Sequence, residues 1–379
     1  MTDVRNRFDI SELAGAFGDL GTLIPFVVAY ISILKMDAAS LFLGFGATLI
    51  VAGYFYRTPF PVQPMKAIGA AAITQTAGAL ALTPTMVVGA GLATALIWLF
   101  LGLSGLAKRL SGWIPRPALL GVVMGLGFSF MIEGVRMMSA QWGLSAALLA
   151  LTLVLLARSR LPAMVLLLLA GAAVALLQQP ALVGELALIK PALRLPDFAW
   201  PLLGWNDLWM GAMLLALPQL PLTFGNALIA ITEENNRLFP DRPVSERKVA
   251  ISTGLLNLWS SALGGIPMCH GAGGMAGHVK FGARTGGASI MLGALLLVIG
   301  LFFADSVGTL LRLFPPSVLG VILFLAGTEL AMGSRDPGPE KADRFLVLAT
   351  AGIAVLNVGI AVVFGFAAYH GSKRGWLKL

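Results

Sequence analysis

Two short stretches interrupt an otherwise apolar chain, and both set polar side chains among Pro and Gly. One is Pro59-Phe60-Pro61-Val62-Gln63-Pro64-Met65-Lys66. The other is Gly264-Gly265-Ile266-Pro267-Met268-Cys269-His270-Gly271-Ala272-Gly273-Gly274. Pro61 and Pro64 remove backbone donors and disfavour helix just ahead of them, so 59–64 should be extended and a helix can begin near Pro64. Gly271, Gly273 and Gly274 permit close backbone approach at the start of a second short helix, with Ala272 between them. The first free N–H groups of two such helices, near Met65–Lys66 and Gly271–Gly273, each carry the equivalent of roughly +0.5 charge. Facing one another, they make an anion site. The bland alternative is a pair of structural kinks.

Other polar residues fall at apparent membrane depth. A charge such as Lys66 costs at least ~2.5–3.5 kcal/mol in lipid, so it needs a cavity or a partner. It either neutralises a bound anion or pairs with Asp19. His270 either donates to the anion, titrates during turnover, or packs as a neutral imidazole. Asp19, in Gly18-Asp19-Leu20-Gly21, is a candidate proton carrier, or else an ion-pair partner. Gln219, Thr223 and Asn226 stand at i, i+4 and i+7 and share a helical face. Amides and hydroxyls there would orient an oxyanion through Gln63, Gln219 and Asn226 without fixing a charge, or would simply bond helix to helix.

The elements that must position these groups are membrane helices. The 379 residues are 58% hydrophobic and 12% charged, where a soluble domain carries about 25% charge. Mean hydropathy is +0.87. Apolar runs recur that are long enough to cross about 30 Å of hydrocarbon. They are continuous rather than alternating, which argues against a β-barrel. The net charge of +8 is no sign of nucleic-acid binding, because Lys and Arg gather in loops. Three histidines and one cysteine, scattered, offer no disulfide and no zinc spacing. Neither a metal nor a cofactor is implied, and no catalytic constellation suggests an enzyme.

The sequence predicts fourteen helices, near 12–34, 38–56, 64–80, 84–107, 116–134, 141–157, 161–179, 207–232, 246–264, 271–283, 286–304, 315–333, 342–356 and 358–371. With a cytoplasmic N-terminus, 20 of the 26 basic residues fall inside, among them Arg57, Arg242 and Arg284. Five fall outside, including Arg194 and Arg312, and Lys66 lies in the membrane. That asymmetry puts both termini in the cytoplasm, with no cleaved leader expected. The Pro-rich stretch 180–206 divides residues 1–179, with helices 1–7, from 207–379, with helices 8–14. Seven helices per half make the second half inverted. No soluble domain is expected after the last helix.

Pro61-Val62-Gln63-Pro64-Met65-Lys66-Ala67 and 264–274 resemble the two signature motifs of the MOT1-type molybdate transporters. Phe281-Gly282-Ala283-Arg284-Thr285-Gly286-Gly287, Leu217-Pro218-Gln219-Leu220-Pro221, Gly225-Asn226-Ala227 and the opening 12–22 are similar as well. The resemblance spans essentially the whole chain. It implies an all-α polytopic fold of seven plus seven helices like that of the uracil permease, related to the sulfate permease group. It also implies a core domain (helices 1–4 and 8–11), a gate domain (helices 5–7 and 12–14) and two broken half-helices. Substrate would sit between the third and tenth helices. The expected activity is secondary import of molybdate by alternating access, with tungstate or sulfate as rivals in the site and a passive anion channel as the rival class. Proton coupling through Asp19 or His270, residence in the plasma (inner) membrane and a homodimer complete the expectations.

Overall fold

The computed structural model describes residues 5–66, 68–69, 82–111, 115–157, 163–196, 203–332 and 340–377. Most of the helix predicted over 64–80 lies outside the described residues. Elsewhere helix occupies the predicted stretches. The first is α1 (Ile10–Ala16), a 3-10 turn (Phe17–Asp19), α2 (Leu20–Val28) and a π turn (Ala29–Ile33) in succession. Then come α3 (Ala38–Tyr56), strand β1 (Gln63–Pro64), α4 (Pro84–Leu103), α5 (Leu106–Ser111), α6 (Arg116–Met138), α7 (Trp142–Ala157), α8 (Ala163–Gln178) and α9 (Ala181–Ala187). The second half holds α10 (Trp205–Met210), α11 (Leu217–Phe224), α12 (Ile231–Leu238), α13 (Glu246–Ala262), strand β2 (Met268–Cys269) and α14 (Ala272–Lys280). It ends with α15 (Gly287–Phe302), α16 (Val307–Leu311), α17 (Pro316–Met332), α18 (Lys341–Leu356) and α19 (Val358–Lys373).

Local chemistry explains the boundaries. Asp37 caps α3 by accepting from the Ser40 amide at 2.7 Å, and Arg57 ends it in the left-handed region at φ 56°. Between α10 and α12 the chain is helical throughout but widens into π turns at Gly211–Ala216 and Gly225–Ala230. The first lies just ahead of Pro218 and Pro221; a proline lacks the N–H that an α-helix needs, and a π turn absorbs such a misfit. The stretch read as loop from 180 holds α9, bent 110° from α8.

Burial is inverted relative to a soluble protein. Leu96, Phe100 and Leu103 form an apolar stripe along α4 that is more than 60% exposed. Asp19, Gln63, Asn226, Asn257 and His278 are buried. An apolar exterior around a polar interior is what lipid demands. By length and composition, Ala38–Tyr56, Pro84–Leu103 and the run 116–157 are apolar enough to cross a membrane unaided.

Glycine sets the helix pairing. In α3 and α15, Gly46 lies against Gly293 and Gly53 against Gly286. In α6 and α17, Gly127 lies against Gly327 and Gly134 against Gly320. A Cβ at any of these positions would stand 1.9–2.7 Å from the facing carbonyl oxygen, so backbone meets backbone. Likewise α4 packs antiparallel on α13, and α18 and α19 close on α6.

Candidate functional site

The two broken segments meet. β1 pairs antiparallel with β2, Gln63 opposite Cys269 and Pro64 opposite Met268. The Met65 amide extends this ladder by donating to Pro267 O at 3.0 Å. Asn257 on α13 holds the second segment by reciprocal bonds to Met268, donating to its carbonyl at 2.7 Å and accepting from its amide at 2.9 Å. Helix starts on both sides of the ladder, at Lys66 and at Ala272. Non-helical backbone at this depth is thereby satisfied within the protein.

Around the ladder, Gln63 Nε2 donates to Asp19 Oδ1 at 2.5 Å. A Cβ at Gly271 would stand 1.8 Å from Gln63 Oε1 and 3.3 Å from Asn226 Nδ2. A Cβ at Gly274 would lie 2.8 Å from Gln63 Nε2 and 2.9 Å from Asp19 Oδ2. The structure therefore brings Gln63, Asp19, Asn226 and the first turn of α14 to one point. Glycine is required at 271 and 274 because side chains already fill the Cβ space. Asn226 is buried, and its Oδ1 has no hydrogen-bond partner among the described residues. Gln219 and Thr223 are buried on α11 and bonded to each other, Nε2 to Oγ1 at 2.9 Å.

The Lys66 ammonium is buried and makes no hydrogen bond among the described residues. Lys66 and Asp19 share no hydrogen bond among the described residues, though the carboxylate acts on the ammonium through space. Instead Nζ lies 3.6 Å from the centroid of the Phe130 ring, a cation–π contact worth roughly 2 kcal/mol when desolvated. The same ring covers the start of α14, where a Cβ at Gly273 would stand 2.0 Å from Phe130 Cε2. Ala272 and Gly273 are the first residues of that helix, and helix geometry leaves their amides without intrahelical partners.

Two expected contributors are otherwise employed. The Met65 amide is consumed by the ladder, so it has no donor to give an anion. His270 is bonded elsewhere. Its Nδ1 bonds Pro61 O at 2.8 Å and its Nε2 bonds Ser252 Oγ at 2.8 Å, with Tyr56 OH 2.5 Å from the same hydroxyl. Pro61 O needs a donor, which puts a proton on Nδ1. Nε2 then meets the Ser252 hydroxyl, which is shared with Tyr56 OH and reaches Val249 O at 3.0 Å. Each group is satisfied with His270 neutral, a clamp between the first broken segment, α3 and α13. Beside it, between α3 and α13, lies a cavity of about 680 Å³. Its walls are almost wholly apolar, including Val51, Phe55, Leu255 and Trp259, with Lys248 at the rim, so it does not suit a dianion.

Sequence reasoning missed three residues near the site. Phe130 looks like any aromatic in an apolar run. His278, buried on α14, bonds Gly15 O through Nδ1 at 2.8 Å. Glu12, buried in the first turn of α1, accepts from the Arg284 amide at 3.0 Å and from Arg7 at 3.1 Å. Arg284 in turn bonds Val279 O and Ala283 O at the end of α14, favourable at a helix C-terminus. A Glu three residues after Asp9 was the available signal for Glu12.

Broken helices paired around a buried cation, inside a helical shell with an apolar exterior, are what an integral membrane protein of the transporter class requires. The solved transmembrane domain of the cyanobacterial bicarbonate transporter BicA has the same fold. It matches at TM-score 0.60 over 93% of this chain and 97% of that one, with 18% identity. The murine solute carrier 26 family member A9 anion transporter, in its inward-facing state, matches at TM-score 0.61 over 100% of this chain and 70% of its own, with 13% identity. The profile described as "Molybdate transporter of MFS superfamily" matches residues 11–130 and 211–330. Molybdate transporter 2 of Arabidopsis thaliana is 32% identical over 94% of this chain and 85% of its own length. This chain belongs to the molybdate transporter family.

Proposed function

We propose that the protein is a secondary active transporter importing a tetrahedral oxyanion, molybdate first, with the anion seated against Lys66 and the opening amides of α14 at Ala272 and Gly273. The observation that carries this reading is the buried Lys66 ammonium with no hydrogen-bond acceptor among the described residues, beside a helix N-terminus that also favours negative charge. Gln63 and Asn226 orient the oxyanion, and Gln219 and Thr223 back the same wall. The family and its Arabidopsis relatives named for molybdate support the substrate.

Moving a dianion into a negative interior costs about 2.3 kcal/mol per charge per 100 mV. Import therefore needs a driving ion. We assign that role to a proton on Asp19, which touches the site through Gln63, rather than to His270, whose nitrogens are both engaged inside the clamp.

Fourteen spans in two inverted halves, 1–179 and 207–379, are favoured by the way the halves exchange. The pair α3–α15 has its counterpart in α13–α4, while β1–β2 and α6–α17 pair across the same exchange. Alternating access then consists of α6, α7, α8, α17, α18 and α19 moving against the rest. The gathering of arginines at one end supports the sidedness. Arg7, Glu12, Arg57, Arg242 and Arg284 interlock at one end, and Arg194 with Asp305 and Arg312 with Glu185 at the other. The first end is cytoplasmic, in a plasma or inner membrane, and the working unit is a dimer.

Calorimetric titration of purified protein with molybdate, tungstate and sulfate at two pH values tests the reading. Saturable molybdate and tungstate binding that is lost in Lys66→Met supports it. Unchanged binding in folded Lys66→Met removes Lys66 from the site.

A further inference from the structure

We propose that Phe130 is the positioning residue that links anion occupancy to movement between the two helix sets, by covering the anion seat with its ring until substrate displaces it. This rests on the oxyanion reading of Lys66. Phe130 sits in the middle of α6 and is buried. Its ring is the nearest aromatic surface to both electropositive features, 3.6 Å from Lys66 Nζ and packed on Gly273 at the start of α14. A dianion satisfying Lys66 and the α14 amides needs the volume that this ring holds. The two cannot be present together.

The exchange is chemically matched. The ring face carries partial negative charge and gives the desolvated ammonium a weak partner when no anion is there. An oxyanion offers a stronger one, with oxygens that accept from Nζ and from the helix amides. The ring also belongs to the other moving body. α6 packs along α17 and α18, and the Phe130 Cβ lies 2.8 Å from where a Cβ on Gly327 of α17 would stand. Lys66 and α14 belong to the set built on the β1–β2 ladder. Withdrawing the ring therefore loosens contact between the two sets, and that is the step substrate must trigger. Once the anion is released, the ring returns to the empty seat.

The test uses full-length protein in which Cys269, the one native cysteine, is changed to Ser and Lys66→Cys supplies a reporter. A small anionic methanethiosulfonate reagent is the probe. Labelling rate follows the population of the uncovered state, so Phe130→Ala should label about tenfold faster than the Phe130 background, and Phe130→Leu close to it. Equal rates in Phe130→Ala and the background overturn the proposal. Phe130→Val carries the same comparison if Phe130→Ala fails to give monodisperse protein. With Lys66 intact, Phe130→Ala should bind molybdate more tightly, because no ring has to be displaced, while uptake falls; background levels of both also overturn it. Absence of molybdate binding in every variant and in the unaltered protein refutes the oxyanion reading, and the labelling comparison still decides whether the ring covers position 66.

Discussion

His270 and Gly271 are adjacent, yet their backbone directions give them opposite work. The imidazole is committed to Pro61 O and Ser252 Oγ, so His270→Ala takes its donor from buried Pro61 O, at roughly 1–3 kcal/mol, while Ser252 Oγ keeps Tyr56 OH and Val249 O. The expected result is a lower melting temperature in detergent with molybdate affinity within a few-fold of the unaltered protein. A large loss of affinity in protein that melts normally would return His270 to the anion site. Gly271→Ala should do the reverse. Its Cβ would fall 1.8 Å from Gln63 Oε1, forcing that amide off Asp19 and away from Asn226. We expect binding weakened by about tenfold or more, read by calorimetry, because a displaced buried amide costs at least one hydrogen bond to a charged group. Unaltered affinity would mean that Gln63 does not orient the anion.

At the level of elements, the 3-10 turn after α1 crosses α14 with backbone against backbone. A Cβ on Gly18 would lie 2.3 Å from Gly277 O, and one on Gly277 would lie 2.3 Å from Gly18 O. Backbone does not yield as a side chain does, so Gly18→Ala or Gly277→Ala should abolish recovery of monodisperse protein. Gly352→Ala, on α18 with nothing within 4 Å, should be neutral or raise stability by about 0.4–1 kcal/mol. Equal recovery of all three variants would refute the close crossing.

The same scale separates what the sequence discloses from what it hides. Pro61, Pro64 and the glycines at 271–274 announce broken helices, because their backbone limits hold in any surroundings. Their pairing into a ladder and the consumption of the Met65 amide depend on contacts about two hundred residues apart. The facing of His270 was equally hidden, since neighbours in an extended strand point to opposite sides and either side of this ladder is protein. The π turns at 211–216 and 225–230 carry no residue code beyond the prolines that follow the first. Phe130 is invisible because an aromatic in an apolar run serves lipid, core and cation equally well.

For the whole molecule the question is what does work on the anion. A channel and a carrier can share a buried Lys66 and a helix N-terminus, since both features favour the anion without choosing its direction. Direction comes from coupling. A dianion crossing 100 mV toward a negative interior climbs about 4.6 kcal/mol, so a passive path at equilibrium holds internal molybdate roughly a thousandfold below the outside. Accumulation above the external concentration requires another gradient, and Asp19, bonded to Gln63 beside the seat, is where a proton can be exchanged for the anion's approach. Reconstituted into liposomes, the protein should concentrate molybdate only when the outside is more acidic than the lumen, with saturation at low substrate. Asp19→Asn should retain exchange of internal for external molybdate while losing acid-driven accumulation, because an amide keeps a hydrogen bond to Gln63 but carries no titrating proton. Flux that tracks voltage alone, without saturation and unchanged in Asp19→Asn, would make this fold a pore and leave Lys66 as its selectivity charge.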